Sequence, residues 1–306
     1  MIGFAHKVPA SAQPLSASTP KVLAALLALW LCWGSSFPAI RVMVTTLPPL
    51  LASGAVFLTA GLLLAAVRPR YLRGLEFRSS CRTAGVGVCL LGAQGTIAVA
   101  EQHVFASTAA LLAAAVPLWV IVLRLVTGDP PTAAGAGRLL LGFTGVSAVL
   151  LAGSGGVGDW TPWNLAILGA AVSWAAGTLW ASRSQDLPPP GPSTIVQLLS
   201  GGAALLMLGA ATGEGAAFTV RAVDTTSWIA LAYLVFVDSV AGFALYNWLL
   251  RSAPVTIVST YAYAVPIVAY IVGIVVLAEP FHFIVLLGAA LIVAAVAGEV
   301  TSAASR

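Results

Sequence analysis

Apolar residues dominate this chain and occur in long runs that short polar segments separate. Ten runs can be distinguished, at residues 22–42, 48–67, 83–100, 104–126, 136–152, 162–181, 194–212, 227–250, 254–277 and 283–298. An α-helix needs about 20 apolar residues to cross a bilayer, and most of the runs approach that length. The pattern therefore predicts an all-α integral membrane protein with ten transmembrane helices.

The third and fourth runs are separated by only three polar residues, Glu101, Gln102 and His103. The segment from Thr83 to Val126 contains 44 residues. A helix of that length would extend about 66 Å, roughly twice the hydrocarbon thickness of a bilayer. We therefore expect the chain to reverse direction at the polar triplet.

The composition excludes a soluble globular domain. Hydrophobic residues make up 59% of the sequence, charged residues make up 8%, and the mean hydropathy is +0.99. A soluble domain carries about 25% charged residues. The basic residues lack the aromatic interleaving of a nucleic-acid-binding surface, so no nucleic-acid partner is expected. Cys32 and Cys89 lie in apolar runs and Cys81 lies in a basic loop, so free thiols are expected.

The positions of Lys and Arg predict the orientation in the membrane. If residues 1–20, rich in Ala, Ser and Pro, form a disordered cytosolic tail, ten spans place both termini in the cytosol. Twelve basic residues then lie inside and two, Arg41 and Arg221, lie outside. The inner set is Lys7, Lys21, Arg68, Arg70, Arg73, Arg78, Arg82, Arg124, Arg138, Arg183, Arg251 and Arg306.

The two halves of the chain contain matching features. Pro117 and Pro266 each follow Ala-Val inside an apolar run, 149 residues apart, and Asp129-Pro130 matches Glu279-Pro280 at an offset of 150. A proline removes a backbone donor, so both are predicted helix breaks. Paired interruptions at matching places indicate a substrate site near the bilayer midplane between the halves of a transporter.

Five runs precede the glycine-rich loop at 153–161 and five follow it. An odd number of helices per repeat gives the two repeats opposite orientations in the membrane. The predicted organisation is a tail at 1–20, a first repeat at 21–152 and a second, inverted repeat at 162–298.

Several short motifs together resemble the EamA-type transporters of the drug/metabolite transporter superfamily. They are Trp33 to Phe37, Ala100 to His103, Ser173 to Ala175, Tyr261 to Tyr263 with Pro266, and Glu279. The resemblance covers about residues 22–298. It implies ten helices in two inverted five-helix repeats, a bacterial cytoplasmic membrane, and export of amino acids or related small metabolites.

Three positions depart from the pattern of that family. Val56 stands before Phe57 where the family usually has Arg, and Val265 stands before Pro266 where Asn is common. Asp238 occupies a position where the family commonly has a small neutral residue.

Helical spacing selects the candidate cavity residues. Gln94 and Glu101 share one face of the third run, and Glu101 can face either the cavity or the outer rim. Trp33 lies well inside the first run, where it can stack on a substrate or pack against helices. The full set of predicted substrate-cavity residues is Trp33, Gln94, Glu101, Trp119, Tyr246, Tyr261 and Tyr263.

Asp238 lies halfway along the eighth run, with Gly242 and Tyr246 on roughly the same face. An ionised Asp at the bilayer centre costs about 2.5–3.5 kcal/mol. We therefore expect a carboxyl group that either exchanges protons during antiport or stays protonated and donates a hydrogen bond to another helix.

The function indicated is secondary active transport of a small molecule, with protons as a candidate coupling ion. The alternatives are an intramembrane enzyme and a structural or sensory membrane protein. The sequence lacks a P-loop and paired intramembrane aspartates, so we expect no enzyme and no cofactor. His103 has no second ligand at metal-binding spacing, so no metal is expected. A monomer in the lipid bilayer is compatible with these features.

Overall fold

A computed structural model describes residues 19–128, 133–152, 161–184, 186–216, 218–253, 258 and 261–304. The described residues form helices joined by short connections, and no strand occurs among them. Residues 1–18 of the predicted tail lie outside this description. Thr19 and Pro20, which were assigned to the tail, already belong to the first helix.

The helices follow the apolar runs in order. They are α1 Thr19–Gly34, α2 Ser36–Met43, α3 Pro49–Val67, α4 Phe77–Ala100, α5 Ala106–Ala113, α6 Val116–Val126, α7 Ala133–Ala152, α8 Pro162–Arg183, α9 Pro190–Ala211, α10 Thr225–Tyr233, α11 Gly242–Ser252, α12 Tyr261–Leu277 and α13 Phe283–Ala304. Short 3₁₀ turns occur at Pro69–Leu72 and Val220–Ala222, and a π-helical segment, Leu234–Ala241, joins α10 to α11.

Seven helical stretches in the described chain are long and apolar enough to cross a membrane. They are 20–43, 49–67, 77–100, 106–126, 162–183, 190–211 and 225–246. The three remaining runs correspond to α7, α12 and α13. The prediction of an all-α membrane protein is therefore confirmed.

The chain reverses where the polar triplet predicted it. Helix α4 ends at Ala100 and α5 begins at Ala106, with the backbone N–H of His103 bonded to the Ala100 carbonyl at 2.9 Å. At its other end α4 begins at Phe77, six residues before the predicted start of the run, so the helix continues beyond the apolar segment.

The two predicted helix breaks differ. In the fourth run the helix is interrupted after Ala113, and Pro117 occupies the first turn of α6, where a missing N–H costs little. In the ninth run α12 continues through Pro266. The prediction of a break at Pro266 is wrong, because the surrounding packing keeps this helix continuous despite the lost hydrogen bond.

Helices from the two halves of the chain pack on one another. Helix α3 packs against α9, α7 against α13, and α5 against α12, while α4 contacts both α8 and α9. Glycine permits the closest crossings: a Cβ atom at Gly54 would lie 2.9 Å from the Gly202 carbonyl, and one at Gly145 would lie 2.6 Å from the Gly288 carbonyl.

Candidate functional site

A small cavity lies where the first half of the chain meets the π-helical segment. Its space is about large enough for a water molecule. Two of the polar residues around it, Gln94 and Asp238, were predicted from the sequence. The lining comes from α2, α3, α4 and the π-helical segment, with Ile40, Met43, Ser53, Val56, Phe57, Gln94, Leu234 and Asp238. We call this the central cavity.

Hydroxyl groups surround the carboxylate of Asp238. The Ser239 hydroxyl donates to Asp238 Oδ2 at 3.3 Å, and the Ser36 side chain also lies next to this carboxylate. Hydroxyls can donate to a charged carboxylate and accept from a protonated one. The Ser239 hydroxyl can therefore pair with either protonation state of Asp238.

The π-helical segment decides where Asp238 points. The Gly242 N–H bonds to the Val237 carbonyl five residues earlier, so this stretch contains an extra residue relative to an α-helix. Trp33 Nε1 donates to the Asp238 carbonyl at 3.3 Å, and a Cβ atom at Gly242 would lie 2.5 Å from the same nitrogen. Gly242 therefore gives the Trp33 indole the space to hold this segment.

An aromatic cluster of Trp33, Phe243, Tyr246 and Tyr261 adjoins the cavity. The Trp33 ring centroid lies 4.9 Å from that of Tyr261, 5.3 Å from Tyr246 and 5.8 Å from Phe243. The three predicted residues Trp33, Tyr246 and Tyr261 are thus brought together by α1, α11 and α12. Trp33 meets Phe243 and Tyr261 edge to face, at 70° and 85°, and is tilted by 43° against Tyr246; edge-to-face contacts stabilise aromatic pairs.

Two serines that sequence reasoning did not select also belong to this region. The Ser35 hydroxyl lies 2.7 Å from Tyr233 Oη and joins the α1–α2 junction to α10. Ser53 of α3 lines the cavity beside Asp238. The sequence shows these serines only as small polar residues inside apolar runs. Thr96 and Thr144 have the same sequence context but bond to carbonyl groups of their own helices, so the context does not identify a cavity residue.

Glu101 lies at one end of the helix bundle, and it is completely buried. Its backbone carbonyl accepts a hydrogen bond from Arg41, but neither carboxylate oxygen has a hydrogen-bond partner among the described residues. Glu101 does not line the central cavity. Glu101 occupies a buried position at the α4–α5 turn, and the choice between the substrate path and the outer rim stays a prediction.

Glu279 lies close to Glu101 and has a different environment. Its two carboxylate oxygens accept the backbone N–H groups of Ala106 and Ser107, at 2.7 and 3.1 Å. These are the first residues of α5, so Glu279 caps this helix from the α12–α13 connection. We call the region with Arg41, Glu101 and Glu279 the Glu101 end of the bundle.

The remaining predicted cavity residues have other positions. Trp119 packs on Phe143 of α7 with the ring centroids 5.2 Å apart, and its Nε1 atom has no partner in the described part of the chain. Tyr263 belongs to α12, but its side chain lies outside the described residues. Trp119 is therefore a packing residue in this conformation.

Basic residues lie at the opposite end, which we call the Arg82 end. Arg82 Nη1 lies 2.5 Å from Asp186 Oδ2, and Arg183 donates to Thr127 at 2.8 Å. The hydrogen bond from Arg82 lowers the pKa of Asp186 below its ordinary value. Asp186 lies in the connection between α8 and α9 and Arg82 lies near the start of α4, and both side chains are exposed, so solvent screens the pair.

Comparison with known proteins gives consistent results. The EamA-like transporter family model matches residues 161–300. The chain is 31% identical to the uncharacterized inner membrane transporter YedA of Escherichia coli K12 over 256 residues, which cover 81% of this chain and 80% of YedA.

Two further similarities cover most of the chain. It is 28% identical to the uncharacterized transporter YvbV of Bacillus subtilis over 288 residues, 90% of this chain and 91% of YvbV. A solved crystal structure with 19% sequence identity superposes with a TM-score of 0.63 and covers 92% of this chain and 96% of its own. The latter similarity supports the fold alone.

Proposed function

The chain belongs to the EamA-like transporter family, and from this premise we propose that it exports small metabolites, amino acids or related compounds, across the bacterial cytoplasmic membrane. Family membership makes it a multi-pass membrane transporter. The direction of transport, the substrate class and the membrane are the proposal. The alternatives of an intramembrane enzyme and a structural or sensory protein gain no support from these relatives.

The proposed architecture is ten transmembrane helices in two inverted repeats, at 21–152 and 162–298. The helix contacts support it. Second, fourth and fifth spans pair with their counterparts in the other half, as α3 with α9, α5 with α12 and α7 with α13. The third span of one half also contacts the first span of the other, in α4 with α8 and in α11 with α1. A two-fold relation between the halves would produce such reciprocal contacts.

The substrate path is proposed to run between the halves, past the central cavity and the aromatic cluster. The observation that carries this proposal is the convergence of Gln94, Asp238 and Trp33 from three different helical spans. An intramembrane acid that faces a cavity is by default a functional candidate. Asp238 is proposed to take up a proton on one side and release it on the other, and so to couple export to the proton gradient.

The experiment is a flux measurement with the full chain in proteoliposomes, using a panel of radiolabelled amino acids. Asp238→Asn keeps the hydrogen-bonding capacity and removes the titration, so we expect exchange of substrate to survive and uphill flux driven by a pH gradient to vanish. Asp224→Asn, which changes an exposed acid at the start of α10, is the matched control and should retain uphill flux. Unchanged uphill flux in Asp238→Asn would exclude Asp238 as the proton carrier.

The proposed orientation has both termini and the Arg82 end in the cytosol. The exposed thiol of Cys81, one residue before Arg82, supplies the probe. In intact cells a membrane-impermeant thiol reagent should label Cys81 only after permeabilisation. Labelling of Cys81 before permeabilisation would show that the Arg82 end faces the outside of the cell, and it would leave the proposal of transport unaffected.

A further inference from the structure

The two acids at the Glu101 end have unequal compensation for their charge. Glu279 receives two backbone N–H groups and faces the positive end of the α5 dipole, an arrangement that stabilises a carboxylate. Glu101 has no such donors, although none of its surface reaches solvent. A buried, ionised carboxylate without a partner is unfavourable by several kcal/mol. Glu101 therefore requires a positive charge that its hydrogen bonds do not provide.

The nearest permanent cation does not fill this role. Arg41 is close enough to interact electrostatically with Glu101, but its hydrogen bond goes to the backbone carbonyl of that residue. The positive charge of Arg41 can balance only one of the two carboxylates, Glu101 and Glu279. One monovalent cation would balance the other.

The geometry brings oxygen atoms from both acids into one buried region. Glu101 lies in the α4–α5 turn, and Glu279 reaches the end of this turn from the α12–α13 connection, because its carboxylate accepts the N–H groups of Ala106 and Ser107. Gly273 of α12 leaves room for this arrangement, because a Cβ atom there would lie 2.5 Å from Glu279 Oε2 and 3.3 Å from the Ser107 Cβ.

Three other titratable groups lie near the two acids along the chain or in space. His103 lies two residues after Glu101, is exposed, and stacks on Trp163 of α8 with the ring centroids 4.4 Å apart. Tyr270 of α12 interacts electrostatically with Glu279, and His282, three residues after Glu279, has a buried Nε2 atom without a hydrogen-bond partner among the described residues. The region therefore contains polar groups that its internal contacts leave unsatisfied.

We propose that Glu101 and Glu279 bind one monovalent cation, either a proton or an alkali metal ion, at the Glu101 end of the bundle. The carboxylate of Glu101 supplies the uncompensated charge and Glu279 supplies a second, fixed oxygen ligand. Because Glu279 also caps α5, the bound cation stabilises the contact between the α12–α13 connection and the start of α5. This site is separate from Asp238 and does not depend on the substrate or on proton coupling there.

The test measures thermal unfolding of the purified full chain in detergent by tryptophan fluorescence. In one arm sodium chloride replaces choline chloride at constant ionic strength and alkaline pH. In the other arm alkali ions are absent and the pH falls from about 8 to about 6, above the ordinary range of exposed carboxyl groups. We expect the unfolding midpoint to rise by about 2–4 °C in the arm that supplies the bound ion. A flat response in both arms would contradict the proposal.

Two single variants assign the response to a residue. Glu101→Gln keeps the shape of the side chain and removes its charge, so the rise with sodium should disappear and the rise in the pH arm should shrink to the part that Asp238 contributes under the proposed function. Asp238→Asn removes the acid of the central cavity, so it should retain the sodium response in full and the Glu101 part of the rise in the pH arm. The reverse result, with the rise lost in Asp238→Asn and kept in Glu101→Gln, would place the cation in the central cavity and overturn the proposal.

A third variant tests the site without removing either acid. In Gly273→Ala the new methyl group displaces the Glu279 carboxylate, so about tenfold more cation should be needed for the same rise, a loss of ~1.4 kcal/mol. Gly169→Ala is the matched control, because a Cβ atom at Gly169 meets nothing within 4 Å. Equal cation dependence in both glycine variants would remove Glu279 from the site. If the unfolding midpoint still depends on the cation but the chain shows no transport, the result contradicts the proposed function and leaves the cation site unaffected.

Discussion

The central cavity and the Glu101 end each contain an acid inside the helix bundle, half-buried Asp238 in the first and buried Glu279 in the second, and the two acids have different hydrogen-bond partners. Asp238 lies beside hydroxyl groups that can donate or accept, on a helical segment with irregular hydrogen bonding. Glu279 is fixed by two backbone N–H groups of α5. In the proposed mechanism Asp238 changes its protonation state and has a hydroxyl neighbour that can donate or accept, whereas Glu279 connects the α12–α13 connection to α5 through two fixed donors.

The largest expected effect comes from overpacking the contact between Gly242 and Trp33, next to the central cavity. In Gly242→Ala the methyl group would overlap the Trp33 indole and break its bond to the Asp238 carbonyl. Overpacking costs about 1–3 kcal/mol, and 1–2 kcal/mol corresponds to a factor of about 5–30 in a conformational population. We expect initial transport rates in proteoliposomes to fall by about 5- to 30-fold. The control Gly169→Ala should retain its rate, and an equal rate in both variants would contradict the role given to Gly242.

The next largest effect is a difference in stability between a variant of Glu279 and a variant of Asp238. Glu279→Gln loses the charged cap of α5, so we expect the free energy of unfolding to fall by about 1–2 kcal/mol. Asp238→Asn replaces a half-buried acid with a neutral side chain of the same shape and should leave stability unchanged or slightly higher. Denaturant or thermal unfolding in detergent measures both.

A second cap provides the control for Glu279→Gln. Glu214 accepts the Leu50 and Leu51 N–H groups of α3, at 3.2 and 3.0 Å, but it is partly exposed. Glu214→Gln should therefore cost less, about 0.5 kcal/mol. If Asp238→Asn proves more destabilising than Glu279→Gln, the roles assigned to the two acids are wrong.

A smaller effect separates the two tryptophans predicted as cavity residues. Trp33→Phe keeps an aromatic ring and loses the Nε1 donor, a hydrogen bond with a net value of about 1 kcal/mol, so transport should fall about fivefold. Trp119→Phe removes an Nε1 group that has no partner in the described chain and should leave the rate nearly unchanged. Equal losses in the two variants would indicate that ring size, and not the bond to Asp238, limits transport.

The smallest effect lies at the Arg82 end. Because pairing with Arg82 lowers the pKa of Asp186, the pair adds stability above the ordinary Asp pKa of about 3.9, and this contribution disappears as the pH falls through the lowered pKa. The unfolding midpoint of Asp186→Asn should therefore lie slightly below that of the unchanged chain near neutral pH and converge with it below about pH 4. A gap that persists at lower pH would assign the effect to something other than titration.

The apolar runs alone determined much of the fold, since helices in a bilayer must satisfy their own backbone hydrogen bonds and need a fixed length. Length also placed the chain reversal at Glu101 to His103. Residue type selected Trp33, Gln94, Tyr246 and Asp238, which the structure brings to the central cavity or its aromatic cluster. These inferences depend on local composition and helical periodicity, which can be read from one sequence without a structure.

The tertiary structure decided the features that depend on distant partners. The continuity of α12 through Pro266, the π-helical segment at Asp238 and the burial of Glu101 each reflect packing by other helices. The clearest case is Glu279, which caps α5 from 173 residues away along the chain. No periodic pattern encodes such a contact, because the N–H groups at a helix start donate to whichever acceptor the fold brings to them.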